Sequence, residues 1–489
     1  MEISETGGIT RKAFLEQLGF FGTGLLFAGS LGAAEFLSTR TKSPKKIIVL
    51  GAGLAGLAAG WNLKEAGHDV VILEARDRPG GKVSTLREPF AAGLIAEEGA
   101  AAFSNSYTTA LKFIDRYGLE KVPWALPEKP VTYFLNGKRF DVKPGEKVTW
   151  PYELTSEEQE LGPFGIVQKY IINTLPKDIR NPSAWNESPL LHLDQESLES
   201  YLQEQGASPG AIQLIKNTQW FAAVPGETSA LAMAVSDFGL FMGDVPFTLK
   251  GGNDLLPREM AKEMQDDIHY EMPVETIRDL GSEVVVKSRQ GKEFKGDKVI
   301  VALPLKVLQK INFSPALSRE KSAAINEVQV LDLARVFLKL KEPVWFQKGL
   351  SGQAFTDLPI AQLNAYENPE TPLSNPAILE SFLAGEAARN IGGRSKDEIA
   401  EMILTHAEKV HPGVKNNFTE AYIKNWVTDE YSLGGPSWPG PGTITSHLVN
   451  LQVPQGNLHF AGEHTSILRS TMEGALRSGM RAAKEIHEA

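Results

Sequence analysis

Lys45-Lys46-Ile47-Ile48-Val49-Leu50-Gly51-Ala52-Gly53-Leu54-Ala55-Gly56 is the stretch on which the fold turns. Its first half is a short β-branched run, the pattern of a buried strand. Its second half is a glycine-spaced turn. A helical stretch follows from Leu57 to Ala66 and stops at Gly67; a second strand, Asp69 to Leu73, ends at Glu74. Each part has a physical task in holding a dinucleotide. Gly51 permits the tight turn, Gly53 lets backbone approach a pyrophosphate, and Gly56 lets helix and strand pack closely. The helix N-terminus presents N–H groups and the positive end of its dipole to phosphate. Glu74 stands where an acid accepts hydrogen bonds from ribose hydroxyls. The strand before, the helix after and the acid beyond make this glycine pattern far more specific than an isolated one.

Outward from that core, Glu74-Ala75-Arg76-Asp77-Arg78-Pro79-Gly80-Gly81-Lys82 sets two arginines and a diglycine directly after the acid. Arginine pairs with phosphate or ribose, and adjacent glycines let backbone press against a second part of a cofactor. Near the other end stands Asn457-Leu458-His459-Phe460-Ala461-Gly462-Glu463-His464-Thr465-Ser466, followed by Met472-Glu473-Gly474-Ala475-Leu476-Arg477-Ser478-Gly479. Together these motifs resemble the flavin-containing amine oxidase family. The first is close to the family's E-A-R-D-R-x-G-G-R pattern, with Lys82 in place of the last arginine. The second matches its C-terminal flavin block. Between them, Gly251-Gly252-Asn253-Asp254-Leu255-Leu256-Pro257 resembles the family's loop into a cofactor-domain helix. Pro273-Val274-Glu275-Thr276-Ile277 resembles its adenine-side strand, and Val301-Ala302-Leu303-Pro304 a strand exit.

The resemblance implies an α/β chain: a Rossmann-like FAD-binding domain interleaved with a mixed α+β substrate-binding domain. Residues 45–125, 250–310 and 420–489 would form the first, and 126–249 and 311–419 the second. Amphipathic stretches at Ser197–Gln205 and Lys396–Val410 fall in the inserted parts. The cofactor implied is non-covalent FAD, contacted by Gly51, Gly53, Gly56, Glu74, Arg76, Gly80, Gly81, Lys82, Gly99, Ala100, Val274, Trp426, Gly462, Glu463 and Met472. The chemistry implied is oxidation of a C–N bond to an imine, with O2 as acceptor and H2O2 as product. The flavin does the redox work and the protein orients the substrate.

Three positions bear on the substrate. Arg335, in Asp332-Leu333-Ala334-Arg335-Val336-Phe337, stands where the family often has a lysine beside the flavin. An arginine there stays charged and does not act as a base; the other reading is a structural ion-pair residue. Trp438, in Tyr431-Ser432-Leu433-Gly434-Gly435-Pro436-Ser437-Trp438, corresponds to one wall of the family's aromatic cage, and Thr471 replaces the other. A tryptophan and a hydroxyl offer less cation–π attraction and more hydrogen bonding than two aromatics. After Glu97-Glu98-Gly99 the chain has Ala100-Ala101-Ala102, where L-amino-acid oxidases carry an arginine that clamps the substrate carboxylate. Amines therefore rank above free amino acids. Trp220, Phe221, Phe238 and Phe241 are candidates for pocket lining, with core packing as their other reading. L-amino-acid oxidation, a C–C desaturase or porphyrinogen-type oxidation, and a non-catalytic flavin-binding partner are the alternatives.

Composition narrows this further. Across 489 residues there are 50 Lys and Arg against 60 Asp and Glu, a net charge of −10, and no cysteine. Disulfides, thiolate metal sites, catalytic thiols and a cysteinyl-linked flavin are excluded. The acidic balance argues against a nucleic-acid partner. The histidines show no ligand spacing, so no metal is expected, and His459 and His464 read as supports of a turn. A small-molecule amine and O2 are the expected partners, and a homodimer is compatible. Thr10-Arg11-Lys12-Ala13-Phe14-Leu15 precedes an uncharged run from Gln17 to Ala34, and 1–44 reads as a signal-like segment with linker. It resembles a twin-arginine signal with Lys12 as the second basic residue, which implies export to a bacterial periplasm. Retention in the cytoplasm, or as a membrane anchor, is the alternative.

Overall fold

In the computed structural model, β-branched runs flanked by glycine turns assemble one wholly parallel sheet. It describes residues 36–37, 39–88, 90, 94–123, 128–175, 191–218, 226–233, 246–366 and 376–489. Strand β1 (Lys46–Leu50) leads through the glycine turn into helix α1 (Leu54–Glu65), which returns as β2 (Asp69–Leu73). Ile47 sits opposite Val70 on one side and Lys298 of β3 (Lys298–Val301) on the other. The sheet runs Ile268–His269, β2, β1, β3, Leu458–Phe460, so strands far apart in the chain lie side by side. Ile47, Ile48, Val49 and Leu50 are all fully buried, as a sheet covered on both faces requires.

The second layer is a seven-stranded, mostly antiparallel sheet. Its long strands are β4 (Leu333–Leu340), β5 (Gln362–Tyr366), β6 (Ala377–Ala384) and β7 (Phe418–Asn425). The period of two divides their side chains sharply. Ala334, Val336, Leu338, Leu379, Leu383 and Ala421 share an apolar core with helix α3 (Lys396–Val410), which carries Ile399, Ile403, Leu404 and Ala407. α3 is started by a capping box in which Ser395 and Glu398 satisfy each other's backbone N–H. The opposite face carries Arg335, Phe337, Glu380 and Tyr422, a mixture of charge and aromatic surface that no solvent-facing sheet needs.

The C-terminus closes the molecule. Helix α4 (Thr443–Gln452) precedes the last parallel strand, and α5 (Met472–Glu488) packs along α1. A Cβ on Gly479 of α5 would lie 2.0 Å from the Ala55 carbonyl, so only glycine allows this approach. The Glu473 carboxylate, fully buried at the start of α5, accepts from the Thr109 and Ala110 N–H groups at 2.9 Å and from Arg477 Nε at 2.6 Å. It thus caps another helix, α2 (Thr108–Arg116), across more than 360 residues of chain. Glu473→Ala is expected to cost about 2–3 kcal/mol, since charge-assisted bonds in the core are lost. Thermal unfolding measures it; an unchanged melting temperature contradicts the capping role. At the other end, Phe36 packs edge-on against Trp61 and Phe113, and the Leu37 N–H donates to Asn62 Oδ1 at 2.9 Å. The chain is therefore docked on the parallel-sheet domain from residue 36; the segment 1–35 lies outside the described residues. Among the described residues no helix is long and apolar enough to cross a membrane.

Candidate active site

The glycine turn has the geometry its spacing predicts. Gly51 takes φ +97° and its N–H donates to the Leu73 carbonyl at 2.8 Å. A Cβ on Gly56 would lie 1.9 Å from the Gly51 carbonyl, so helix and turn touch through bare backbone. Gly53 begins α1 with no side-chain cap, and a Cβ placed on it would meet nothing within 4 Å. Gly80 lies against this turn: its N–H donates to the Ala52 carbonyl at 2.8 Å, and a Cβ on Gly81 would come 3.5 Å from the Gly53 Cα. Two glycine turns and an uncapped helix start thus bound one open strip of backbone donors, which fits a diphosphate.

Glu74 is buried beside it. Its two oxygens accept from the Ala52 N–H (2.7 Å) and the Arg76 N–H (2.8 Å), while burial raises its pKa. Each oxygen keeps a further lone pair for a ribose hydroxyl. Arg76 turns to Asp429, donating Nη1 at 3.2 Å, and to Ser432 Oγ at 3.0 Å. Burial works against ionisation of Asp429, but Arg76 and Lys424 hold its pKa down at about 2. The Met272 N–H donates to the Glu74 backbone carbonyl at 2.8 Å, two residues before Val274, which begins the strand Val274–Asp279.

A second cluster gathers around Glu463. Its carboxylate accepts from the Ser437 N–H (2.9 Å), Ser437 Oγ (2.7 Å) and the Ser470 N–H (2.9 Å), and pairs with Lys82 Nζ at 3.2 Å. Burial opposes its charge, yet Lys82 and these donors hold its pKa at about 2. Lys82 also donates to the Gly435 carbonyl at 2.9 Å. Gly99 is pressed on Lys82: a Cβ there would be 1.8 Å from the Lys82 carbonyl and 3.2 Å from the Trp426 ring, whose Nε1 donates to the Glu98 carbonyl at 2.7 Å. Ala100 joins by donating its N–H to the Lys82 carbonyl at 3.1 Å. Gly462 takes φ +130° immediately before Glu463. Segments near 82, 99, 426, 437 and 463 therefore meet in one place.

Arg335 projects from β4 on the polar face of the second sheet. It is buried, donates Nη1 to the Glu97 carbonyl, lies 3.3 Å from Glu380 Oε1, and stacks over Phe382 at 5.0 Å. Glu380 in turn accepts from Tyr366 Oη at 2.8 Å and Asn364 Nδ2 at 3.1 Å. Trp438 is buried, donates Nε1 to Thr228 Oγ1, and carries the Arg469 guanidinium over its ring at 5.0 Å. Thr471 caps α5: its hydroxyl accepts from the Gly474 N–H at 2.9 Å and donates to the Leu468 carbonyl at 2.6 Å. Met472 follows as the buried first residue of that helix. Trp220, Phe221, Phe238 and Phe241 lie outside the described residues.

Glu97 is the most strongly perturbed carboxyl in this region. Burial pushes its pKa from 4.5 up to about 8, with Asp254 adding to the shift and the Asn253 N–H, Thr85 and Arg335 opposing it. The native state thus holds a proton that the unfolded chain releases near pH 4.5. Its contribution is full below that pH and is lost as pH rises toward about 8. Glu97→Gln should remove that slope, because an amide does not titrate while its oxygen still accepts from the Asn253 N–H. Melting temperatures across this window test it; parallel profiles for the two proteins would refute it.

A model of the flavin containing amine oxidoreductase family matches residues 54–487. The chain belongs to this family. An L-amino-acid oxidase of Demansia vestigiata is 26% identical over 467 residues, covering 92% of this chain and 88% of the relative. One of Mus musculus is 28% identical over 465 residues, covering 92% of this chain and 71% of the relative. Among solved structures, putrescine oxidase bound to putrescine aligns with a TM-score of 0.76 at 23% identity, over 91% of this chain and all of the other. Cyclohexylamine oxidase from Brevibacterium oxydans aligns with 0.74 at 22%, over 91% and 99%. These two establish the fold alone.

For an amine oxidoreductase, the uncapped α1 start beside Glu74 fits the phosphate and hydroxyl groups of a flavin cofactor. Ser437, Arg469 and Glu380 belong to no motif that marks them as site residues in the sequence. Ser437 stands next to Trp438 and was outshone by it, and Arg469 is the one cation between the two C-terminal motifs. Glu380 gives no sequence signal, since an acid in a strand reads as solvent-facing. Among the described residues, no group of three or more metal-type ligands occurs.

Proposed function

We propose that the chain is an oxidase with non-covalently held FAD that converts a C–N bond of an amine to an imine and passes the electrons to O2, releasing H2O2. When bound, the flavin accepts the hydride equivalent. The chain's own residues hold it and orient the substrate. The observation that carries the reading is the Glu463 junction, where the first and last cofactor motifs meet beside Trp438. Arg335 lies buried on the polar sheet face, paired with Glu380 at 3.3 Å, and no residue of Ala100-Ala101-Ala102 is able to clamp a carboxylate. Purified protein assayed for peroxide across an amine panel tests this. Flavin that stays oxidised with every amine under anaerobic mixing overturns it.

A second reading, oxidation of L-amino acids, is favoured by the curated relatives and by Arg469. This buried guanidinium lies over Trp438 and donates to Ser470 Oγ at 3.1 Å, beside the segment from Glu463 to Met472. If amino acids reduce the flavin, Arg469→Met should raise their KM far more than it slows reduction at saturation. We propose further that the 1–44 segment directs export. N-terminal sequencing of protein from its host tests this, and a chain still beginning near Met1 excludes cleavage.

A further inference from the structure

The arm that enters β1 is tied to the body by a row of hydrogen bonds with two histidines as its middle links. The Lys45 N–H donates to His68 Nδ1 at 3.3 Å. His68 Nε2 and His487 Nδ1 are 3.1 Å apart, with the rings edge-on, and His487 Nε2 is 3.4 Å from Thr39 Oγ1. His68 immediately precedes β2, and His487 lies in the last turn of α5. The row thus leaves the arm at Lys45, crosses both rings and returns to the arm at Thr39.

A backbone N–H only donates, and this assigns every proton in the row. His68 Nδ1 is the acceptor, so the neutral ring carries its proton on Nε2 and donates it to His487 Nδ1. The His487 proton is then on Nε2, facing the Thr39 hydroxyl. A second proton on either ring has no place. On His68 it would sit at Nδ1, against the Lys45 N–H; on His487 it would sit at Nδ1, against the His68 N–H. The row exists only while both rings are neutral.

Electrostatics act in the same direction. His68 is buried, and burial, then His487 and Lys45, lower its pKa. The Lys45 ammonium is kept close because it donates to the Ile486 carbonyl at 2.8 Å. Among the other nearby charges, Lys64 is paired with Asp267, Lys484 with Glu488 and Glu485 with Arg481, while Arg40 and Asp69 are exposed. The folded state therefore keeps His68 neutral. Its contribution is full above the ordinary 6.5 and is lost as pH falls below it and through the lowered value. The arm's other ties, Phe36 on Trp61 and Phe113 and the Thr41 N–H on the Ala66 carbonyl at 2.8 Å, contain no group that titrates near neutral pH.

We propose that His68 and His487 form a proton-operated clasp that fastens the N-terminal arm to the C-terminal helix at neutral pH and opens on mild acidification. Residues 36–45 join the segment 1–35 to the fold, so the clasp sets how closely that segment is held to the body. The absence of cysteine allows a direct test. Lys42→Cys on the arm and Lys484→Cys on α5, both at exposed positions, take nitroxide labels at those two places alone. Double electron–electron resonance on the full chain should give one narrow distance at about pH 7.5 and a longer, broader distribution at about pH 5.5, the range over which imidazole gains a proton. The narrow distance should return on neutralisation. With His68→Gln and His487→Gln added, the distribution should be the same at both pH values. Hydrogen exchange on the unsubstituted chain is independent of these variants. Corrected for the intrinsic effect of pH, exchange at Thr41 and Lys45 should be several-fold faster at the lower pH, with Ile48 and Val49 of β1 unchanged. Arm distances and arm exchange that are identical at both pH values overturn the clasp, and so does equal broadening in the protein lacking both histidines.

Discussion

Glu463→Ala is expected to purify without flavin and to melt well below the parent protein. The carboxylate is the common acceptor for Ser437, Ser470 and Lys82, so its removal strands four donor groups on three residues from three parts of the chain. The Lys82 and Glu463 side chains are 28% and 12% exposed, which leaves little water to replace the lost partner. Breaking such a pair from one side costs about 3–5 kcal/mol, because an uncompensated charge stays in a low-dielectric site. Glu463→Gln keeps one oxygen, enough for either the Ser437 N–H on Oε1 or the Ser470 N–H on Oε2 but not both, and should recover part of the stability but little of the flavin. The pH dependence has a definite sign. With a native pKa of about 2 against an ordinary 4.5, the stabilisation by Glu463 is complete above about pH 4.5 and is lost as pH falls toward 2. Flavin absorbance per protein and thermal unfolding decide the matter; a yellow Glu463→Ala protein with normal stability would refute it.

How legible these features were in the sequence depended on whether their cause was local. The strand–turn–helix from Lys45 was readable because β-branching, glycine spacing and a terminal acid act within one supersecondary unit. Even there the helix begins at Leu54, three residues earlier than the run of helix formers suggests. Gly56 sits inside the first turn because it rests on the Gly51 carbonyl, a tertiary reason that outweighs its poor helix propensity. Ser197–Gln205 and Lys396–Val410 were visible as amphipathic stretches, and helices Leu198–Glu204 and Lys396–Val410 occupy them. Glu473 was not legible, because its role is to cap a helix that begins at Thr108. Asp194 is alike: fully buried, it accepts from Ser229 Oγ and from the Thr445 N–H in the first turn of α4. An acid read alone looks like surface, and only the fold brings it its donors. The same limit hid Ser437, whose partner Glu463 was evident while the serine was not.

Gly53→Ala and Gly56→Ala should part company, although both alter one motif by a single methyl group. At Gly53 the backbone has φ −73° and ψ 175°, an ordinary extended conformation that alanine adopts freely. Its new Cβ would meet nothing within 4 Å, so the apo-protein should melt at the parent temperature or slightly above, since alanine restricts the unfolded chain by about 0.4–1 kcal/mol. At Gly56 the same methyl group would arrive 1.9 Å from the Gly51 carbonyl and 3.2 Å from Val49 Cγ1. Neither neighbour has room to retreat. Gly51 is tied to the Leu73 carbonyl, and the helix is tied back by the Leu57 N–H to the Gly53 carbonyl. Forcing α1 off β1 should cost about 1–3 kcal/mol or more and lower the yield of folded protein. Flavin binding should fail in both proteins for opposite reasons: in Gly56→Ala because the turn is distorted, in Gly53→Ala because the methyl group occupies the approach to an intact turn. Titration of FAD into folded apo-protein separates them. Parental affinity in a folded Gly53→Ala protein would mean that the diphosphate does not pass over this turn.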